Sequence, residues 1–243
     1  MTMLWRLLPV ALVTIRQMAG GKTVRLITVL SCLPALFMLI FVLRPWQNSA
    51  DAYFLNLLEE FVIPTLLPIV ILLPATAAFG DELEDGTLPF IYLKPVTRLR
   101  IVLEKFLAVL CVTIPAFFVG MVVTSVVATQ GPNATDIWLT FRAILGAGAM
   151  AALLLGAVFI FISLVIPRAL LAGIIYIFAW ESLLGRFLPG VQSISSREYT
   201  VRVFNGLLNN DMPAVRDASL TMLVVAVIAL VLATLRLRQM QID

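Results

Sequence analysis

Long apolar stretches separated by short polar ones run through the whole chain. Five stretches of roughly 20 residues contain no Asp, Glu, Lys or Arg, and a helix needs about that length to cross a hydrocarbon core of about 30 Å. A sixth apolar stretch begins at Ala169 and is interrupted by Glu181. The pattern predicts six membrane-spanning helices, at residues 24–43, 61–80, 106–130, 143–167, 169–188 and 218–235.

The spans are predicted to be helices because backbone groups in lipid must find hydrogen-bond partners within their own segment. A β-barrel would show segments of alternating polarity instead, and the apolar stretches lack that alternation. The composition agrees, since 61% of the 243 residues are hydrophobic, 13% are charged and the mean hydropathy is +1.05. The chain is therefore predicted to be an all-α membrane protein with a single transmembrane domain over residues 1–243.

Residues 1–23 are predicted to form an amphipathic helix that lies flat in the membrane interface. Apolar positions recur there at helical spacing, and basic residues such as Arg16 supply the polar complement. The apolar run 7–15 resembles the core of a signal peptide, but Arg16, Lys22 and Arg25 follow it and no small-residue cleavage site lies nearby. We therefore expect this segment to be retained.

The distribution of Lys and Arg predicts the orientation. If both termini lie on one side, that side carries eleven of the 17 Lys and Arg residues, including all three lysines. Cytoplasmic segments are enriched in these residues, so both termini and the loop 81–105 are predicted to face the cytoplasm. The segments 44–60, 131–141 and 189–217 are then external. The last of these is amphipathic and is predicted to be a helical hairpin that re-enters the outer leaflet.

No catalytic residue, cofactor site or metal site is predicted. The chain has no histidine and only two cysteines, Cys32 and Cys111, which lie in different predicted spans. The usual ligands of zinc and haem are therefore missing, and the cysteines do not form the framework of a secreted disulfide-rich domain.

One short motif imitates an ATP-binding sequence. The tetrapeptide Gly20-Gly21-Lys22-Thr23 ends like a phosphate-binding loop, but Arg16 occupies the position of the first glycine and no strand precedes it. We conclude that this chain does not bind ATP through this motif. If ATP drives the protein, another chain must hydrolyse it.

The loop 81–105 is the most charged part of the chain. Together with Phe79 and Gly80 it holds nine of the 31 Asp, Glu, Lys and Arg residues. Four acidic residues come first, then a turn signal at Asp85-Gly86, and basic residues follow Pro95. Thr87 is placed to cap a short helix whose buried face would hold Leu88, Ile91, Tyr92 and Leu93. The alternative is a solvated loop whose charges only hold two helices at the membrane surface.

The order of residues in this loop resembles that of a known family. The runs E-D-G-T-L, P-V-T-R and I-V-L-E-K are similar to the first cytoplasmic loop of permease subunits in type-2 ATP-binding-cassette exporters. The residues that carry the resemblance are Glu84, Gly86, Thr87, Leu88, Pro95, Val96, Thr97, Arg98 and Lys105. Glu104 and Lys94 depart from the family's usual sequence, in which glycine and a small polar residue, respectively, are common at these positions. This leaves partner specificity open.

The resemblance implies that the loop carries a coupling helix that docks in a cleft of a separate cytoplasmic ATPase subunit, which would bind ATP and Mg. Gly86 and Thr87 would shape its start. Charged residues would select the partner, namely Glu82, Glu84, Asp85, Lys94 and Arg98, and apolar residues would supply the buried contact, namely Leu88, Phe90, Ile91 and Tyr92. The amino-terminal helix would brace against the same ATPase. A second permease subunit, identical or paralogous, would complete the path through the lipid bilayer, which is expected to be the plasma membrane of a bacterium (its inner membrane). No nucleic-acid partner is predicted.

Several residues inside the predicted spans have two interpretations. Glu181 would serve an external gate or the pathway, or it would pair with Arg186 or Arg202, because an uncompensated carboxylate in lipid costs at least a few kcal/mol. The small residues Gly148, Ala152 and Gly156 are expected to allow close helix packing within the subunit. Prolines crowd the second span, at positions 64, 68 and 74, and predict bends or local unwinding that would suit hinges or static kinks.

Two other classes of function stay open. An ion-coupled secondary transporter usually carries several buried ionisable residues or inverted repeats, whereas only Glu181 interrupts a span here. A non-transporting membrane anchor for a cytoplasmic enzyme would use the same loop without needing proline-bent spans.

Overall fold

The computed structural model describes residues 9–45, 49–84, 97–166, 168–178 and 195–239. For Pro9 and residues 81–84 only the backbone is described. In these ranges the chain is helical, with no strand. The helices are α1 (Pro9–Gly20), α2 (Lys22–Ser31), α3 (Leu33–Leu43), α4 (Ala50–Leu57), a π-helical segment (Leu58–Leu66), α5 (Leu67–Glu84), α6 (Arg98–Ala128), α7 (Ile137–Val165), α8 (Ala169–Ile175), α9 (Ser196–Leu208) and α10 (Met212–Gln239).

The prediction of an all-α membrane protein is confirmed. Five helical stretches in the described ranges are long and apolar enough to cross a membrane: Lys22–Leu43, Ala50–Gly80, Arg98–Ala128, Ile137–Val165 and Met212–Gln239. The next apolar helix, Ala169–Phe178, is shorter. Because the rest of the predicted span 169–188 lies outside the described residues, the six-span count stays a prediction, as does the hairpin 189–217, of which α9 and the start of α10 are described.

The helices extend beyond the charge-free stretches that predict them. The second spanning helix begins at Ala50 rather than at residue 61, and α6 begins at Arg98 rather than at residue 106. Charged residues such as Glu59 and Glu60 end an apolar stretch, but they do not end a helix whose backbone hydrogen bonds continue into the polar interface. Residues 50–60 of the predicted external loop 44–60 are therefore helical.

Gly21 separates α1 from the first spanning helix. Its φ of −86° and ψ of 178° are extended, so the chain leaves α1 at Gly20 and starts α2 at Lys22 in a new direction. A turn at Cys32 then divides this spanning helix into α2 and α3, and Pro34 lies in the first turn of α3, where its missing N–H removes no hydrogen bond.

The second span departs from regular α-helix at its first proline, Pro64. The segment Leu58–Leu66 is π-helical and contains Pro64, while Pro74 lies inside the regular helix α5. A π turn widens the helix and changes which carbonyl each N–H meets, so it can accommodate the ring and the missing N–H of a proline.

The long helix α7 lies at the centre of the bundle and packs against α5, α6, α9 and α10. Its small residues face α6: a Cβ atom on Gly148 would lie 2.5 Å from Cε1 of Phe117, and one on Gly156 would lie 3.4 Å from Cε2 of Phe106. Ala152, between them, is buried. The small-residue stripe therefore brings two helices of the same chain together, as predicted.

Candidate functional site

The candidate site is the base of the loop 81–105, where α5 ends and α6 begins. Glu82 and Glu84 lie in the last turn of α5, with only their backbone described. Several predicted docking residues lie outside the described residues: Asp85, Gly86, Thr87, Leu88, Phe90, Ile91, Tyr92 and Lys94. The predicted gate residue Glu181 also lies outside them, so Arg98 is the predicted site residue whose side chain can be placed.

Glu104 on α6 is buried, with 1% of its surface exposed. Its Oε2 atom accepts hydrogen bonds from the backbone N–H of Val10 at 2.7 Å and of Ala11 at 3.0 Å, both in the first turn of α1. N–H groups in a first turn have no partner within their own helix, and the helix dipole makes this end attractive to a negative charge. Glu104 therefore joins α1 to α6.

Arg100 completes the environment of the Glu104 carboxylate. It precedes Glu104 by one helical turn and donates from Nε to Oε1 at 2.7 Å. The side chain of Arg100 is 44% exposed and that of Glu104 is 2% exposed, so the pair reaches from the surface into the bundle. Three donors thus satisfy a carboxylate that would be costly to bury alone.

Lys105 connects α6 to α5. This side chain is fully buried, and its Nζ donates to the backbone carbonyl of Ala78 and lies 4.3 Å from the centre of the Phe79 ring. A carbonyl oxygen and an aromatic face both stabilise a desolvated ammonium. Ala78 precedes the loop, and Lys105 is the last residue of its predicted range and lies on α6, so this contact closes the base of the loop.

Arg98 connects the start of α6 to the end of α10. Its Nη1 atom donates to the backbone carbonyl of Leu237 at 3.5 Å. Carbonyls in the last turn of a helix lack partners within it and carry the negative end of the helix dipole, so a guanidinium is well placed there. We call Arg98, Arg100, Glu104 and Lys105 together the α6 polar cluster.

At the other end of α6, a second set of hydrogen bonds ties two segments that were predicted to be external. The carboxylate of Asp51 on α4 accepts from the N–H of Thr135 at 2.8 Å, from its hydroxyl at 2.8 Å and from the N–H of Asp136 at 3.1 Å. The N–H of Ala50 also donates to the carbonyl of Pro132 at 2.7 Å. The start of α4 is thereby fixed to the loop before α7.

Residues 14–186 match the model of the ABC-2 family transporter protein, which is well over half of the chain. The chain belongs to this family. No curated protein matches it.

Membership in the ABC-2 family confirms that the chain is a membrane permease component that is not itself catalytic, and it implies a partner ATPase component. The matched residues include the whole loop 81–105 and the α6 polar cluster. The chain is a multi-pass membrane protein, as its apolar helices predicted.

The sequence alone did not indicate what Glu104 does in this permease. Glu104 departs from the usual family sequence, and this left partner specificity open, whereas its carboxylate contacts α1 of the same chain. One signal was available: Arg100 precedes it by four residues, the spacing of a helical ion pair, and an apolar run follows Lys105 at once.

Proposed function

We propose that this permease is the membrane-spanning subunit of an ATP-driven exporter, works as a dimer, and is driven by a separate ATPase subunit that docks on the loop 81–105. The permease supplies the path, and ATP and Mg bind to the ATPase. The observation that carries this proposal is the α6 polar cluster, which joins the base of the loop to three other helices.

The cluster offers a mechanical route from the loop into the bundle. The loop leaves α5 after Glu84 and the chain enters α6 at Arg98. Because Lys105 binds Ala78 and Glu104 binds the first turn of α1, a force on the loop would move the ends of α1, α5 and α6 as one unit. ATP binding by the partner and the arrangement of the spans would then bias each other.

The docking surface proposed here lies on the loop itself. Glu82, Glu84, Asp85 and Lys94 would set the register of the ATPase, and Leu88, Phe90, Ile91 and Tyr92 would supply its buried contact. Arg98 already donates to Leu237, so we assign it to holding the flank of the loop rather than to facing the partner.

The same proposal fixes orientation and assembly. With the loop and both termini in the cytoplasm, the α6 polar cluster lies on the side of the ATPase, in agreement with the excess of Lys and Arg there. One permease with six spans would form half of a pathway, and a second copy or a paralogue would form the other half. The apolar bundle favours a lipid-like, hydrophobic or peptide cargo over a small, highly charged ion.

The proposal is tested by isolating the permease, with an affinity tag, from its native membranes in a mild detergent. The expected result is co-purification of a chain with a complete phosphate-binding loop, and a change in its ATP hydrolysis when the permease is present in lipid vesicles. If the ATPase binds but hydrolyses ATP at the same rate with and without the permease, the permease would be a membrane anchor instead. Isolation without any ATPase, or full transport by cells that lack the permease, would overturn the proposal.

A further inference from the structure

A groove opens between α2, α5 and α8, near the end of the bundle that carries the α6 polar cluster. It has a volume of about 280 Å³, close to the lower end of the usual range for small-molecule sites. Its walls include Thr23 and Leu26 of α2, Ala77 and Gly80 of α5, and Ala169 and Leu170 of α8. Ala77 and Gly80 flank Ala78 and Phe79, the residues that Lys105 contacts, which places the groove beside the cluster.

Three basic residues flank this groove. Lys22 precedes Thr23, Arg25 precedes Leu26, and Arg168 precedes Ala169, so each stands next to a residue of the wall. All three side chains are exposed, and none forms an ion pair with a described residue. The acidic residues Asp81, Glu82 and Glu84 follow Gly80 on α5, so the three basic residues belong to the side of the groove formed by α2 and α8.

The apolar part of the wall points to an amphiphile rather than to a small ion. Leu26 and Leu170 are 57% and 40% exposed, and both belong to helices of the apolar bundle. Basic pockets between helices at a membrane surface attract the phosphates of lipid headgroups, and each Lys or Arg near the surface contributes about 1 kcal/mol.

We propose that this groove binds an anionic phospholipid, with its phosphate between Lys22, Arg25 and Arg168 and the upper part of an acyl chain against Leu26 and Leu170. The volume suits the phosphate and glycerol portion, and the remaining chain length would lie along the outside of α2 and α8. Every residue that lines the groove belongs to the permease, so lipid binding can be tested without the ATPase partner.

The test measures lipid retention by the full-length permease. Protein in detergent is incubated with phosphatidylglycerol or phosphatidylcholine, and bound lipid is counted by native mass spectrometry. The first variant is Arg25→Gln with Arg168→Gln, and its matched control is Arg236→Gln with Arg238→Gln, which removes two exposed cations at the end of α10. Losing two phosphate contacts should weaken phosphatidylglycerol binding about thirtyfold, at about fivefold per cation, and the control should match the unmodified protein.

A second variant fills the groove without changing charge. A Cβ atom on Gly80 would meet nothing within 4 Å, and the same holds for Gly20, which does not line the groove. Gly80→Leu should therefore fold normally and lose the bound lipid, while Gly20→Leu should keep it.

Two results would overturn the lipid assignment. The first is equal phosphatidylglycerol binding by the two charge variants, and the second is undiminished binding by Gly80→Leu. If the second result came with a shift of Gly80→Leu from dimer to monomer in light scattering, the groove would be covered by a second copy of the chain. Preference for phosphatidylglycerol over phosphatidylcholine that disappears with the Arg25 and Arg168 substitutions would establish the site.

Discussion

Glu104 Oε2 lies 3.0 Å from the backbone nitrogen of Ala11, 93 residues earlier in the chain. This hydrogen bond and its neighbour to Val10 fasten the amino-terminal helix to the first turns of α6. The buried Glu104 side chain keeps its two backbone donors only while α1 stays in place, so these hydrogen bonds hold α1 against α6. These two hydrogen bonds therefore couple α1 to α6, the helix at the base of the loop 81–105.

Replacing Glu104 should loosen α1. In Glu104→Ala the N–H groups of Val10 and Ala11 lose their acceptor, and about 1–3 kcal/mol is expected for each buried group left unsatisfied. Glu104→Gln keeps one acceptor oxygen and should lower the free energy of unfolding less than Glu104→Ala does. Thermal unfolding in detergent, followed by tryptophan fluorescence, measures the order of the two variants.

The control for Glu104 is Glu198→Ala. Glu198 forms an ion pair of the same i,i+4 spacing with Arg202, but the side chains are 38% and 56% exposed, so its removal should change the free energy of unfolding by less than about 1 kcal/mol. Equal destabilisation by the two alanine substitutions would show that the contacts of Glu104 with α1 contribute nothing beyond an exposed pair.

Lys105 should be far less tolerant of truncation than the other lysine described. Lys105→Ala removes a fully buried side chain, leaves a void beside Phe79 and frees the carbonyl of Ala78, so a loss of about 2–5 kcal/mol is expected. Lys22 is exposed, and Lys22→Ala should lie within about 0.5 kcal/mol of the unmodified protein. Chemical denaturation in mixed micelles compares the two, and similar curves would contradict the buried position of Lys105.

Glycine substitutions should rank according to what a new methyl group meets. Gly20→Ala meets open space and should be neutral or stabilising, whereas Gly148→Ala pushes against the Phe117 ring and should cost about 1–3 kcal/mol. Gly120→Ala should cost most, because it meets the backbone of Ser31, which cannot rotate away. Melting temperatures of the three variants test the ranking.

A compensating change makes the Gly148 prediction specific. Combining Gly148→Ala with Phe117→Leu should recover part of the loss that each single variant shows, because the smaller side chain makes room for the methyl group. Strict additivity of the two losses would mean that these positions do not touch.

Asp51 should control the order of the loop before α7. Asp51→Ala removes the acceptor of three hydrogen bonds from Thr135 and Asp136, so amide hydrogen exchange in residues 133–136 should become faster. Asp217→Ala is the control, since Asp217 pairs only with its exposed neighbour Arg216 among the contacts described. Exchange that is unchanged in Asp51→Ala would show that backbone contacts alone, such as Ala50 with Pro132, hold this loop.

The spans were predictable because hydrophobic length is a local property of the chain. The same is true of the small-residue stripe at Gly148 and Gly156, whose spacing alone selects one helix face. Helix ends were less predictable, since Glu59 and Glu60 interrupt the apolar stretch but not the helix.

The contacts within the candidate site could not be predicted from local sequence patterns. Glu104 meets α1 across 93 or 94 residues, and Asp51 meets Thr135 across 84. Such partners depend on how the helices pack, and no spacing rule connects them. The family resemblance marked Lys105 as part of a motif, but its contact with Ala78 became apparent only in the structure.

The central claim is that the loop 81–105 receives the ATPase. The most direct test measures ATPase binding and ATP hydrolysis in lipid vesicles for Glu84→Lys with Asp85→Lys, against Glu198→Lys with Asp217→Lys, which reverses two acids on α9 and α10. We expect the ATPase to bind the loop variant at least tenfold more weakly, because the two introduced lysines would repel the groups of the ATPase that Glu84 and Asp85 are proposed to attract. The control should bind the ATPase as the unmodified permease does. Undiminished binding and hydrolysis with the loop variant would contradict the account.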